Sequence, residues 1–179
     1  MGTWRGRYHV PDDSFPLGER VAVVVGANGY TATYVSRPIP YVIVSGTSSL
    51  KPTQEYETDL EQVRCRICRL GHIGQSASIP KLAVVSPTGG VGAVFFRGRL
   101  AAGRAWHPRV ASTGLLALGI ALSQTGTTAS LIGGQLVAET VVDTPAGLRT
   151  IGRDDEGFQT VITLSVTVLP FDQECGSDD

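Results

Sequence analysis

The fold of this chain turns on His107-Pro108-Arg109-Val110-Ala111-Ser112-Thr113-Gly114-Leu115-Leu116-Ala117-Leu118-Gly119-Ile120-Ala121-Leu122-Ser123. Proline is tolerated in the first turn of a helix, where its missing amide proton would have no intrahelical acceptor, so Pro108 opens a helix predicted over about 108–123. Val110, Ala111, Leu115, Leu116, Ala117, Leu118, Ile120, Ala121 and Leu122 point in every direction around its axis. A helix with no polar face has to be enclosed by other elements. Ser112, Gly114, Ala117 and Gly119 let those elements approach closely, although each glycine costs about 1 kcal/mol of helix propensity against alanine. The apolar run is too short, and too interrupted by Ser112 and Thr113, to span a bilayer.

The enclosing elements read as strands. Val21–Val25 is a β-branched run ended by the turn-like Gly26-Ala27-Asn28-Gly29, and residues 41–44 repeat the theme. Residues 79–85 and 91–99 form a predicted hairpin around Ser86-Pro87-Thr88-Gly89-Gly90, and after Thr125-Gly126-Thr127-Thr128 strands are expected at 136–142, 148–151 and 158–169. One further stretch has helical period: Leu60, Val63, Ile67 and Leu70 define an amphipathic helix at about 57–70. Its acids (Glu55, Glu57, Asp59, Glu61) precede its bases (Arg64, Arg66, Arg69), as the helix dipole favours, and Gly71 is the expected C-terminal cap. The pattern is α+β: a β-barrel-like sheet wrapped around a central apolar helix, with one amphipathic helix outside. Residues 1–19 are expected to be an arm or edge strand, 20–170 one domain, and 171–179 a polar tail.

Composition narrows the function. With 179 residues, 42% hydrophobic and 17% charged, the chain is long and apolar enough for one sizeable core. Fifteen basic and sixteen acidic side chains leave a formal charge of −1, too little to gather phosphate backbones or anionic lipid, so neither nucleic acid nor membrane is an expected partner. The first residues lack a signal-peptide core, and three cysteines do not make a secreted disulfide framework; a reducing, cytoplasmic setting is expected. Cys65 and Cys68 have CxxC spacing, but within a helix rather than at the helix start that activates a thiol. With His9, His72 and His107 scattered, no metal site is predicted. Gly26-Ala27-Asn28-Gly29 lacks the spacing for dinucleotide binding.

Five segments, in order and spacing, carry a resemblance. Residues 36–44 followed by Asp59-Leu60-Glu61-Gln62-Val63-Arg64, then Ile79-Pro80-Lys81-Leu82-Ala83-Val84-Val85, His107 to Gly114, residues 124–128, and Asp143-Thr144-Pro145-Ala146-Gly147 resemble the C-terminal half of the PrpF family of isomerases, over roughly residues 20–170. The resemblance implies a single half of a diaminopimelate-epimerase-like fold. It departs from the family at two places: Pro108 stands where the family has a lysine, and Ile162-Thr163-Leu164-Ser165-Val166 replaces an Arg-Thr-Ala-Arg strand. The family's Gly-Asn-Cys-Gly-Asn segment and its proposed catalytic lysine and cysteine belong to the other half.

PrpF-like chemistry shifts a double bond in an unsaturated acid by moving a proton, with no cofactor. It requires a tuned base, an anion cradle and exclusion of water. The resemblance places His107 as the catalytic group, with Arg104, Arg109, Ser112, Thr113, Pro145 and Gly147 binding a small-molecule substrate beside the amides at the start of the helix. The plainer alternatives are that His107 caps the helix, that the hydroxyls satisfy backbone groups, and that Pro145 and Gly147 are turn residues. Lys81 is either solvated or facing the cleft. The expected function is a cofactor-independent isomerase or cyclase acting on a small unsaturated acid or ketone in biosynthesis, with a homodimer restoring the cleft between halves. The alternative is a non-catalytic binding or accessory module that keeps the fold. A third reading is that the chain is one piece of a longer product; cooperative unfolding of the purified chain would argue against it.

Overall fold

Two parallel strand pairs dictate the layout, because parallel neighbours cannot be joined by a tight turn and need a crossover, usually helical. The computed structural model describes residues 3–9, 12–37, 39–46, 54–74, 79–87, 91–96, 106–107, 112–145, 147–152 and 161–167, with the backbone alone for 3–9, 12, 54 and 161–167. Along the chain run β1 (Thr3–His9), β2 (Val21–Val25), β3 (Asn28–Val35), β4 (Tyr41–Ser45), α1 (Gln54–Leu70), β5 (Lys81–Pro87) and β6 (Val91–Phe96). There follow α2 (Ser112–Ser123), α3 (Thr128–Gly133), β7 (Glu139–Thr144), β8 (Gly147–Gly152) and β9 (Val161–Thr167). Strands β2 to β8 form one mixed sheet in chain order, and β1 pairs with β9 in a second, antiparallel one. The parallel pairs are β4 with β5, joined through α1, and β6 with β7, joined through α2 and α3.

The two crossovers take opposite faces of the sheet. Alternation along β4 sends Val42 and Val44 to one side, where they meet Leu60, Val63 and Ile67 of α1 with Leu82, Val84 and Phe96. Tyr41 and Ile43 go to the other side, with Ala83, Val85, Ala93, Phe95 and the whole apolar surface of α2. Every residue of α2 from Gly114 to Leu122 is buried. Each large aliphatic side chain removed from water here contributes roughly 1.5–3 kcal/mol, which is why the all-apolar run can only sit inside. Gly114 meets the ring of Phe95, which a Cβ at that position would have to displace.

The α+β class, α1 and the described part of the central helix are as expected, and other features differ. Among the described residues the sheet does not close into a barrel: β2 and β8 are its edges, and β9 runs beside β8 and α2 without joining the seven-stranded ladder. The part of the central helix expected at 108–111 lies outside the described residues. A strand at Asn28–Val35 was not foreseen, because Asn28 and Gly29 read as turn residues; the turn is only Gly26 and Ala27, with Gly26 at φ +57 in a two-residue hairpin loop. The short helix α3 also stands where no helix was expected. Six residues give no readable period, and it starts because Thr127 caps it, its side-chain oxygen accepting from Ser130 N at 3.1 Å.

Gly71 is not the left-handed cap of α1. That conformation belongs to His72, at φ +50, and Ile73 N donates to Cys68 O at 2.8 Å to complete a Schellman ending. A side chain with a Cβ is disfavoured in this region. His72→Gly is therefore expected to stabilise the fold by about 0.5–1 kcal/mol, read as a higher midpoint in urea unfolding; an unchanged or lower midpoint would show that the His72 side chain supplies contacts that outweigh the backbone cost.

Candidate functional site

Strand order brings several sequence-singled residues to one end of the sheet. Tyr41 opens β4 and lies opposite Lys81, which opens the parallel β5, while Leu82 lies opposite Phe96 at the end of β6. Buried Arg64 of α1 donates to Ile79 O at 3.4 Å, and Lys81 N donates to Pro40 O at 2.9 Å, so the start of β5 is tied down from two sides. Lys81 shares the strand parity of Ala83 and Val85 and so belongs to the α2 face, half-buried.

His107 reaches the same end by main-chain pairing. Trp106 bridges to Phe96, its ring lies against that of Phe96 at 5.2 Å between centroids, and its Nε1 donates to Glu57 Oε1 at 2.6 Å. His107 N then donates to Phe95 O at 2.9 Å. Since Trp106 packs on the α1 side, alternation of an extended chain assigns half-buried His107 to the α2 side, opposite Phe95. The anchoring by Trp106 and Glu57 was not legible in sequence, because the partners stand far apart in the chain and only the fold brings them together.

The start of α2 meets this group. Thr113 Oγ1 shares a hydrogen bond with Tyr41 Oη at 3.2 Å, and Tyr41 in turn packs edge-on to Phe95 at 6.4 Å between ring centroids. Burial pushes the Tyr41 hydroxyl above its ordinary pKa, while the Thr113 hydrogen bond pulls the other way. The phenol is thus a neutral donor or acceptor. Ser112 is exposed at the first described turn of α2. In the sequence Tyr41 reads as a strand residue only, since a buried tyrosine in an apolar run gives no separate signal.

Pro145 and Gly147 lie in the turn between β7 and β8. Both are exposed, Gly147 has φ +91, and its carbonyl accepts from Thr144 Oγ1 at 2.6 Å, so their local role is to form the turn. β7 runs parallel to β6, with Gly92 opposite Asp143, so this turn projects toward the end of the sheet where Phe95 and His107 stand. Arg104 and Arg109 lie outside the described residues. Of the six substrate-binding residues expected, four are described, and the fold sets them at one end with His107.

At the opposite end, on the α1 face, a cleft of about 500 Å³ is lined by Asn28, Tyr30, Ser45, Glu55, Tyr56 and Asp59 among others. Asp59 Oδ2 accepts from Asn28 Nδ2 at 2.8 Å and from Tyr30 Oη at 2.7 Å. Burial, then the hydrogen bond to Asp59, raises the Tyr30 hydroxyl, and burial with the Asp59 charge pushes Tyr56 up to about 12. A phenol whose pKa is raised by folding stabilises the fold in its neutral form. That contribution is complete below the ordinary tyrosine value of about 10 and is lost as pH rises through about 12. Tyr56→Phe, which cannot ionise, should therefore lose less stability than the wild type across that window. Urea midpoints measured against pH check this; parallel curves for the two proteins would refute it.

Both cysteines of the CxxC pair lie within α1. Cys68 is buried, and that burial pushes its thiol up, while Cys65 is half-buried one turn earlier in α1. Among the described residues no group of three or more His, Cys, Asp or Glu side chains is arranged to hold a metal ion. No helix among them is long and apolar enough to cross a membrane.

No family model matches this chain, and no curated protein matches it in sequence. Among solved structures it is similar to the crystal structure of methylitaconate-delta-isomerase, with a TM-score of 0.68 at 14% sequence identity, over 88% of this chain and 50% of that one. The chain therefore spans half the length of that protein, and the likeness is one of fold.

Proposed function

We propose that this chain is a cofactor-independent isomerase or cyclase acting by proton transfer on a small unsaturated acid or ketone, at the end of the sheet where α2 begins. What supports the reading most is the meeting there of His107, Thr113, Tyr41 and Lys81 in a fold shared with an isomerase. The chemistry follows from the groups. The His107 imidazole takes a proton from the carbon next to a carbonyl or carboxylate, the electron pair moves into an enolate, and a proton returns at the far carbon of the shifted double bond. Helix amides, the Thr113–Tyr41 hydroxyl pair and the Lys81 ammonium balance the enolate and carboxylate charge.

In this reading the strands curve around α2, and a second copy of the chain closes the open end, so that two α2 starting turns face one cleft. The match covers half of the solved isomerase, and in this reading the second copy takes the place of the other half. The test is a panel of unsaturated di- and tricarboxylic acids incubated with chelator-treated protein and followed by NMR. Conversion of at least one acid to its double-bond isomer is expected. Binding of an acid without conversion of any would favour the second reading, an accessory module that keeps the fold, which the replacement of the family's lysine by Pro108 supports.

A further inference from the structure

The seven-stranded sheet ends at β2, and its free edge is not smooth. Between that edge and the last turns of α1 runs a groove of about 330 Å³, lined by Ala22, Val23, Val24, Arg66, Arg69 and Leu70. Val25 and Asn28 flank the two-residue loop, so Val21, Val23 and Val25 turn their main-chain groups toward β3, and Ala22 and Val24 turn theirs outward. Thr31, opposite Ala22, confirms this register: its N–H turns the other way, donating to Ser45 Oγ at 3.3 Å. No hydrogen bond from the described residues reaches the outward groups of Ala22 and Val24. Val24 and Leu70 are each 57% exposed. Arg66 and Arg69 are exposed and, among the described residues, have no carboxylate partner.

An edge of this kind is a template for an added strand unless something blocks it, and neither proline nor an inward charge blocks this one. We propose that the β2 groove binds an extended, acidic segment of a partner protein. Its main chain pairs with Ala22 and Val24, its apolar side chains rest on Val24 on the sheet face away from α1, and its carboxylates, on the α1 face, meet Arg66 and Arg69. The charges select this occupant over a second copy of the chain. Two β2 edges paired about a two-fold axis would bring four guanidinium groups to one joint with no acid among the groove residues to balance them.

A fluorescein-labelled peptide of alternating valine and glutamate, and its lysine-for-glutamate counterpart, test this by fluorescence anisotropy against the whole chain. The glutamate peptide is expected to bind and the lysine peptide not to. Arg66→Glu with Arg69→Glu should weaken binding about tenfold or more, and raised salt should act in the same direction. Val24→Pro should also weaken it, since it removes an outward N–H while sparing the ladder to β3. Circular dichroism establishes that each variant is folded, and the arginine pair, being exposed, stands as the test if the proline variant is not. No binding, equal binding of both peptides, or binding indifferent to these substitutions would overturn the proposal. So would a wild-type dimer that Val24→Pro dissociates, which would make the occupant a second copy.

Discussion

Leu118→Ala is expected to lower the free energy of unfolding by about 2–5 kcal/mol, a large part of a typical domain's stability. Leu118 has no solvent exposure and sits mid-helix in a layer that includes Ile43, Val85 and Ile120. The cost has two parts, the lost transfer of the side chain out of water and the cavity left where the surrounding strands cannot close in. Leu131 of α3, 59% exposed, is the control: Leu131→Ala should stay within about 0.5 kcal/mol. Chemical denaturation of the two variants measures the difference. Equal small effects would mean that α2 is not enclosed, and the account of the fold would fail with it.

Enclosure of α2 was legible because a run with apolar residues on every side has one physical solution. The amphipathic period of α1 was equally plain, and its first described residue, Gln54, lies only one turn before the expected start. What sequence did not reveal has identifiable causes. β3 begins with Asn28 and Gly29, whose usual meaning is a turn, and only the cross-strand pairing of Val25 with Asn28 makes them strand. Val21–Val25 reads as a buried strand from its β-branched run, yet half of it faces outward, because its place at the sheet edge is a property of topology. At the proposed site, the positions of His107, Ser112 and Thr113 around the start of the buried helix were legible. Tyr41 and Trp106 were not, because their roles depend on contacts across 72 and 49 positions of sequence.

His107→Ala carries the larger functional effect. If the imidazole moves the proton, its removal should slow isomerisation by about 10²–10⁴-fold, the usual contribution of a general base. The fold should survive, since the tie to Phe95 O is made by the main-chain amide, which alanine keeps. Acid binding should fall far less than the rate. Thr113→Val gives the complementary pattern: it removes the hydroxyl paired with Tyr41 and should weaken acid binding while leaving His107 in place. A His107→Ala protein that turns over at the wild-type rate would move the base elsewhere, with Lys81 the next group to substitute.

Proton transfer without a cofactor leaves a direct trace in the product. Wild-type protein and an unsaturated acid that it binds, mixed in deuterium oxide, should give a product carrying deuterium at the carbon that receives the proton, with the label appearing at the rate of isomerisation and suppressed in His107→Ala. Tight binding of the acid with no deuterium entering either substrate or product would contradict the account.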